Sequence, residues 1–125
     1  MTSTVAQVVI DCEDAGRLAA FWAQVLGQPV DAGASPYFAT IGRPSPSPTP
    51  TSGGSPALMF LKVPEPKQGK NRVHLDLTSP DWRAEVKRVV DLGATFVAEY
   101  SEHGTEWATL LDPEGNEFDV GAAHT

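Results

Sequence analysis

VAQVVIDCEDAGRLAAFWAQVLG, from Val5 to Gly27, is the stretch whose reading decides the fold. From Val5 to Cys12 the run is β-branched and reads as a strand, with Val8, Ile10 and Cys12 on one face and Gln7, Val9 and Asp11 on the other. At Asp14 the period changes. Leu18, Phe21, Trp22, Val25 and Leu26 fall at i, i+3, i+4, i+7 and i+8, an amphipathic helix capped by Asp14 and stopped by Gly27. The pattern then recurs in RVHLDLTSPDWRAEVKRVVDLG, from Arg72 to Gly93. Arg72 to Thr78 reads as a strand. Ser79 is the expected N-cap, Pro80 the first helical residue, and Trp82, Val86, Val89 and Val90 repeat the apolar spacing. Gln7 precedes Asp14 by seven residues, and His74 precedes Asp81 by the same seven.

Working outward, three further strands are expected after each helix. In the first half these are Gln28 to Asp31, Pro36 to Ile41 and Ala57 to Val63. In the second they are Thr95 to Tyr100, Glu106 to Leu111 and Asn116 to Val120. The last two meet at Asp112-Pro113-Glu114-Gly115, with Pro second and Gly fourth as in a type I turn. Each half therefore reads βαβββ, about residues 5–63 and 72–120 of a single domain spanning 1–125, and the fold class is α+β. A unit of that size cannot close a core alone, so the halves are expected to pair into a curved mixed-sheet cup with the helices outside. Pro44 to Pro56 (PSPSPTPTSGGSP) holds thirteen residues drawn only from Pro, Ser, Thr and Gly, and is expected to be a disordered loop.

At 125 residues, nine Lys and Arg stand against sixteen Asp and Glu, a net charge of −7 that repels phosphate backbones and argues against nucleic acid. One cysteine, Cys12, excludes an internal disulfide and is expected to be a small buried hydrophobe. Met1-Thr2-Ser3-Thr4 lacks the basic start of a secretory signal, and no apolar run nears the ~20 residues of a membrane span, so a cytoplasmic protein with no membrane partner is expected. P-loop, GxGxxG, HExxH, CxxC and GxSxG motifs are absent.

Alternation in the second half places Val73, Leu75 and Leu77 in the core, with Arg72, His74 and Asp76 opposite. Phe118 and Val120 point inward, leaving Glu117 and Asp119 on the far face. The phase of Ala57 to Val63 is open, because Met59 and Leu61 on one face and Leu58 and Phe60 on the other are all apolar. A cup holding Gln7, His74, Asp119 and Glu117 beside a Met59/Leu61 wall is a small-molecule site by type. Trp22 and Trp82 belong to the helix cores, whereas Trp107 either lines the cup or packs. Lys62, Lys67, Lys70 and Arg72 cluster at the link between halves, as an anion site or as a solvated linker.

The repeated βαβββ pattern, the opening VVIDCEDAGRLAAFWAQVLG, the second opening NRVHLDLTSPDWRAEVKRVVDLGAT and the closing WATLLDPEGNEFDV resemble the glyoxalase/bleomycin-resistance/dioxygenase group, the vicinal oxygen chelate superfamily. The resemblance covers nearly the whole chain except the Pro/Ser/Thr run. It implies a metal set of Gln7, His74 and Asp119, with Asp119 where relatives usually carry Glu. The fourth ligand position falls near Met59 or Leu61, which cannot ligate a hard ion. Such a set suits Zn, Ni, Mn or Fe(II) polarising two adjacent substrate oxygens, with Glu117 as catalytic base and Met59, Leu61 and Trp107 against the substrate. A homodimer is implied by the resemblance alone. Two functions follow: a metal-dependent lyase, isomerase or dioxygenase, and a non-catalytic, antibiotic-type binder without metal.

Overall fold

The structure, a computed structural model, describes residues 1–43 and 56–122, and within them the chain forms two compact units, Met1–Pro66 and Lys67–Thr125. Residues 44–55 of the expected loop lie outside the described residues. The α+β class holds, as two small mixed sheets each carrying one helix.

The first unit runs β1 (Gln7–Cys12), α1 (Ala15–Leu26), β2 (Phe38–Ile41) and β3 (Ala57–Lys62). Asp14 caps α1 by accepting from the backbone N–H of Arg17 at 3.1 Å. Gly27 ends the helix at φ 65°, a left-handed conformation that disfavours any residue with a Cβ. The sheet order is β1-β3-β2, with β1 and β3 parallel and β2 antiparallel to β3. Register settles the phase of β3. Val8, Ile10 and Cys12 pair with Leu58, Phe60 and Lys62, and Ala39 and Ile41 pair with Phe60 and Leu58, so these share the face that α1 covers. Leu18, Trp22, Ile41 and Phe60 fill that core, each no more than 2% exposed.

The expected strand at Gln28 to Asp31 does not form. Pro29 has no N–H to give a ladder, and what remains is one bridge, Val30 to Ile41, with Asp31 N–H donating to Thr40 O at 2.9 Å.

The second unit runs β4 (Asp76–Thr78), α2 (Trp82–Leu92), β5 (Thr95–Glu102), β6 (Thr105–Leu111) and β7 (Glu117–Gly121). Its order is β4-β7-β6-β5, with β4 and β7 parallel and the other pairs antiparallel. Helix α2 packs on β5 and β7 over Ala108, Leu110, Phe118 and Val120, all buried. Trp82 and Val89 are its buried contribution, and Arg83 lies 4.4 Å from the Trp82 ring centroid.

Three expectations are corrected here. The N-cap of α2 is Asp81, which accepts from Ala84 N–H at 3.2 Å, so Ser79 and Pro80 precede the helix. The strand expected from Arg72 begins at Asp76. Val73, expected in the core, is 76% exposed. One cause explains the last two: the Asn71 side chain takes ladder positions on β7 that a backbone would otherwise fill. Its amide donates to Glu117 O at 3.2 Å, and its oxygen accepts from Glu117 N–H at 2.8 Å.

Candidate functional site

The open face of the second sheet, opposite α2, is built by register. Asp76 pairs with Asp119, Asp119 with Thr109, Glu117 with Leu111, Gly121 with Trp107, and Trp107 with Tyr100. Residues so paired share a face, so a polar row lies beside an aromatic one. His74 precedes β4, on a segment that Asp119 N–H fastens by donating to Leu75 O at 3.0 Å. Its Nε2 lies 3.0 Å from Asp76 Oδ1 and 3.3 Å from Asp119 Oδ2. Asp119 Oδ1 accepts from the Thr109 hydroxyl at 2.7 Å, which turns Oδ2 toward the imidazole. One donor atom from each of His74, Asp76 and Asp119 lies within 4.8 Å of the others, spacing that a single ion can bridge. An imidazole nitrogen with two carboxylates fits a divalent transition ion.

Glu117 stands two residues before Asp119 on this face. Its Oε2 accepts from Asn71 N–H at 2.9 Å, and its Oε1 lies 3.3 Å from Lys67 Nζ. Burial pushes its pKa up, but the hydrogen bonds from Asn71 and Lys67 outweigh this, and the net direction is down. The carboxylate is therefore ionised at neutral pH and clamps the segment leading to His74. Lys67, one of the linker cations, is engaged in that clamp.

Trp107 and Tyr100 stack with centroids 5.5 Å apart and planes 23° from parallel, leaving Tyr100 40% exposed and Trp107 half-buried. Gly121 is what lets Trp107 sit there. A Cβ on Gly121 would stand 2.8 Å from Trp107 Cβ and 2.8 Å from Glu106 O, neither of them a movable side-chain end. Gly121→Ala should therefore destabilise the protein by about 1–3 kcal/mol in urea unfolding. A change near zero would show that β6 and β7 separate freely there.

In the first unit Gln7, Val9 and Asp11 share the open face with Met59 and Leu61. Gln7 Nε2 donates to Met59 Sδ at 3.8 Å, and Met59 and Leu61 are half-buried. Of the expected metal set, the structure brings His74 and Asp119 together in the second unit, while Gln7 stands in the first. Asp76 joins the pair and was not among the expected ligands. Alternation in the sequence places it on the face of His74, and the parallel pairing of β4 with β7 is what sets it opposite Asp119. Cys12 is buried as expected, with Sγ 3.4 Å from Leu61 O.

Solved structures of other proteins share the fold. A glyoxalase/bleomycin resistance protein/dioxygenase family enzyme from Burkholderia phytofirmans PsJN superposes with a TM-score of 0.76 at 22% identity, covering 98% of this chain and 100% of that one. A glyoxalase-related enzyme from Fulvimarina pelagi gives 0.70 at 13% identity, covering 98% and 89%. A glyoxalase/bleomycin resistance protein/dioxygenase from Nocardioides gives 0.68 at 15%, covering 98% and 84%. Comparison with curated proteins gives no match. Among the described residues no helix is long and apolar enough to cross a membrane. At these identities the superpositions speak for the fold. The sequence itself matches the Glyoxalase-like domain family over residues 7–121, so the chain belongs to that family.

Proposed function

We propose that the protein binds a small organic molecule bearing two adjacent oxygens on the open face of the second sheet, over a divalent ion held by His74 Nε2 and Asp119 Oδ2. The observation that carries this reading is the imidazole nitrogen 3.3 Å from a carboxylate whose other oxygen is fixed by Thr109. Once bound, such an ion is a Lewis acid that polarises the two substrate oxygens. The residues supply the rest. Trp107, stacked on Tyr100, offers a flat apolar contact to a ligand on the polar row, and Met59 and Leu61 present apolar surface on the first sheet's open face. Glu117, with Oε2 held by the Asn71 backbone and Oε1 by Lys67, serves in this reading as the clamp that positions the segment carrying His74 and not as a base. Such polarisation of the substrate oxygens would serve lyase, isomerase or dioxygenase chemistry.

A non-catalytic binder is the second reading, and the exposed Tyr100–Trp107 stack favours it, because an aromatic ligand can add to that stack without any ion. Metal content separates the two. Protein purified without chelator or affinity metal should contain about one transition ion per chain, and His74→Ala should lower its affinity at least ~10-fold by isothermal titration. No bound ion, together with no thermal shift on adding Zn, Ni, Mn or Fe(II), would sink the metal reading. Stabilisation by an aromatic ligand panel in the presence of chelator would then support the binder.

A further inference from the structure

We infer that Asp76 is a third protein ligand of the proposed divalent site, so that the second unit alone supplies a donor set of one imidazole nitrogen and two carboxylate oxygens. This rests on the metal reading above and names a ligand that reading does not require. Asp76 and Asp119 are register partners on adjacent parallel strands, where like charges directly opposite one another are destabilising unless a cation lies between them. His74 Nε2 faces both, 3.0 Å from Asp76 Oδ1 and 3.3 Å from Asp119 Oδ2. An octahedral ion with bonds of ~2.1 Å holds neighbouring donor atoms about 3 Å apart, the spacing the two contacts show.

The supports lie outside the three donors. Thr109 holds the far oxygen of Asp119 at 2.7 Å. Asn71 and Glu117 fix the backbone leading to His74 through bonds of 2.8 Å and 2.9 Å. The Asp76 side chain is 77% exposed, so the open side of the site is left for water and substrate. By contrast Gln7, in the first unit, offers only a neutral amide, and its nitrogen is directed at Met59 Sδ. Two carboxylates and one neutral imidazole balance the charge of a divalent ion, and the oxygen-rich set suits Mn(II) or Fe(II).

Mn(II) alone is the probe. Metal-stripped full-length protein is titrated with it by calorimetry and by electron paramagnetic resonance, comparing wild type, Asp76→Asn, Asp76→Ala, Gln7→Ala and His74→Ala. Wild type should take up about one Mn(II) per chain. Asp76→Asn and Asp76→Ala should weaken binding at least ~10-fold without lowering the thermal midpoint in the metal-free state, since the side chain is exposed and stands opposite a like charge. Gln7→Ala should stay within about twofold. If His74→Ala loses the ion while both Asp76 variants keep full affinity, the assignment of Asp76 is overturned and the metal reading stands. Equal losses from Gln7→Ala and Asp76→Asn would overturn the self-contained donor set. Wild-type protein that takes up no Mn(II) and no other divalent ion overturns both.

Discussion

Trp22→Ala should lower the stability of the protein by about 3–5 kcal/mol, the range for deleting a fully buried large aromatic side chain. Trp22 is 2% exposed on the face of α1 that packs against β1, β2 and β3. Its surroundings make the loss hard to repair. Ala15, Ala19, Ala23, Ala39 and Ala57 are all buried in the same unit, and a core this rich in alanine has few long side chains that can swing into a cavity. Trp22 also meets Phe21 edge to face, centroids 5.4 Å apart and planes at 87°, a contact worth about 0.5–1.5 kcal/mol beyond its buried area. Urea unfolding followed by far-UV circular dichroism measures the change, which corresponds to a midpoint lower by on the order of 10–20 °C. Trp22→Phe, which keeps a ring, should lose less than half as much. A loss below ~1 kcal/mol for Trp22→Ala would mean that α1 is held by other contacts.

Trp22 was legible because a helix repeats its burial every three to four residues, and the Asp14 cap and Gly27 stop mark both ends. Within α2 the same rules misplace the start. Ser79 and Pro80 satisfy the local preferences of an N-terminus, yet Asp81, seven residues after His74 as Asp14 is after Gln7, makes the capping bond. The repeat was a better guide there than the propensity of single residues. Side-chain substitution for backbone is harder to see. Nothing local to Val73 announces that Asn71 will occupy the ladder beside Glu117 and leave Val73 exposed, because that exchange joins residues 46 apart. Pro29, which has no N–H to give a ladder, opposes a strand from Gln28 to Asp31.

The site divides along the same line. Alternation puts His74, Asp119 and Glu117 on one face; pairing with Thr109 and Leu111 keeps Asp119 and Glu117 there, whereas His74 precedes β4 and meets Asp119 through the 3.3 Å contact. Asp76 needed the pairing itself, since its meaning comes from standing opposite Asp119 across a parallel ladder between β4 and β7. The neighbouring relation of Trp107 and Tyr100 likewise belongs to register, which a single strand's period leaves undetermined.

Asp112→Ala should cost about 2–3 kcal/mol, because one buried carboxylate organises the turn that carries Asp119 back alongside Thr109. Asp112 is 3% exposed. Its Oδ1 accepts from the backbone N–H groups of Glu114 at 2.9 Å and Asn116 at 3.0 Å, and both oxygens accept from the Asn116 amide, at 3.2 Å and 3.0 Å. The main chain closes the same turn, with Gly115 N–H donating to Asp112 O at 2.9 Å and Asp112 N–H to Asn116 O at 2.9 Å. Gly115 adopts φ 85°, which leaves little freedom for another residue there. Alanine at 112 keeps the main-chain bonds and strands the side-chain donors, each worth about 1 kcal/mol or more when deprived of a charged acceptor. Asp112→Asn keeps an acceptor oxygen but sets an N–H₂ group against the Asn116 amide, so about half of the loss should return. Unfolding free energies of the two variants check this ordering. A loss in Asp112→Ala no larger than in Asp112→Asn would show that the main-chain bonds and Gly115 suffice to hold the hairpin.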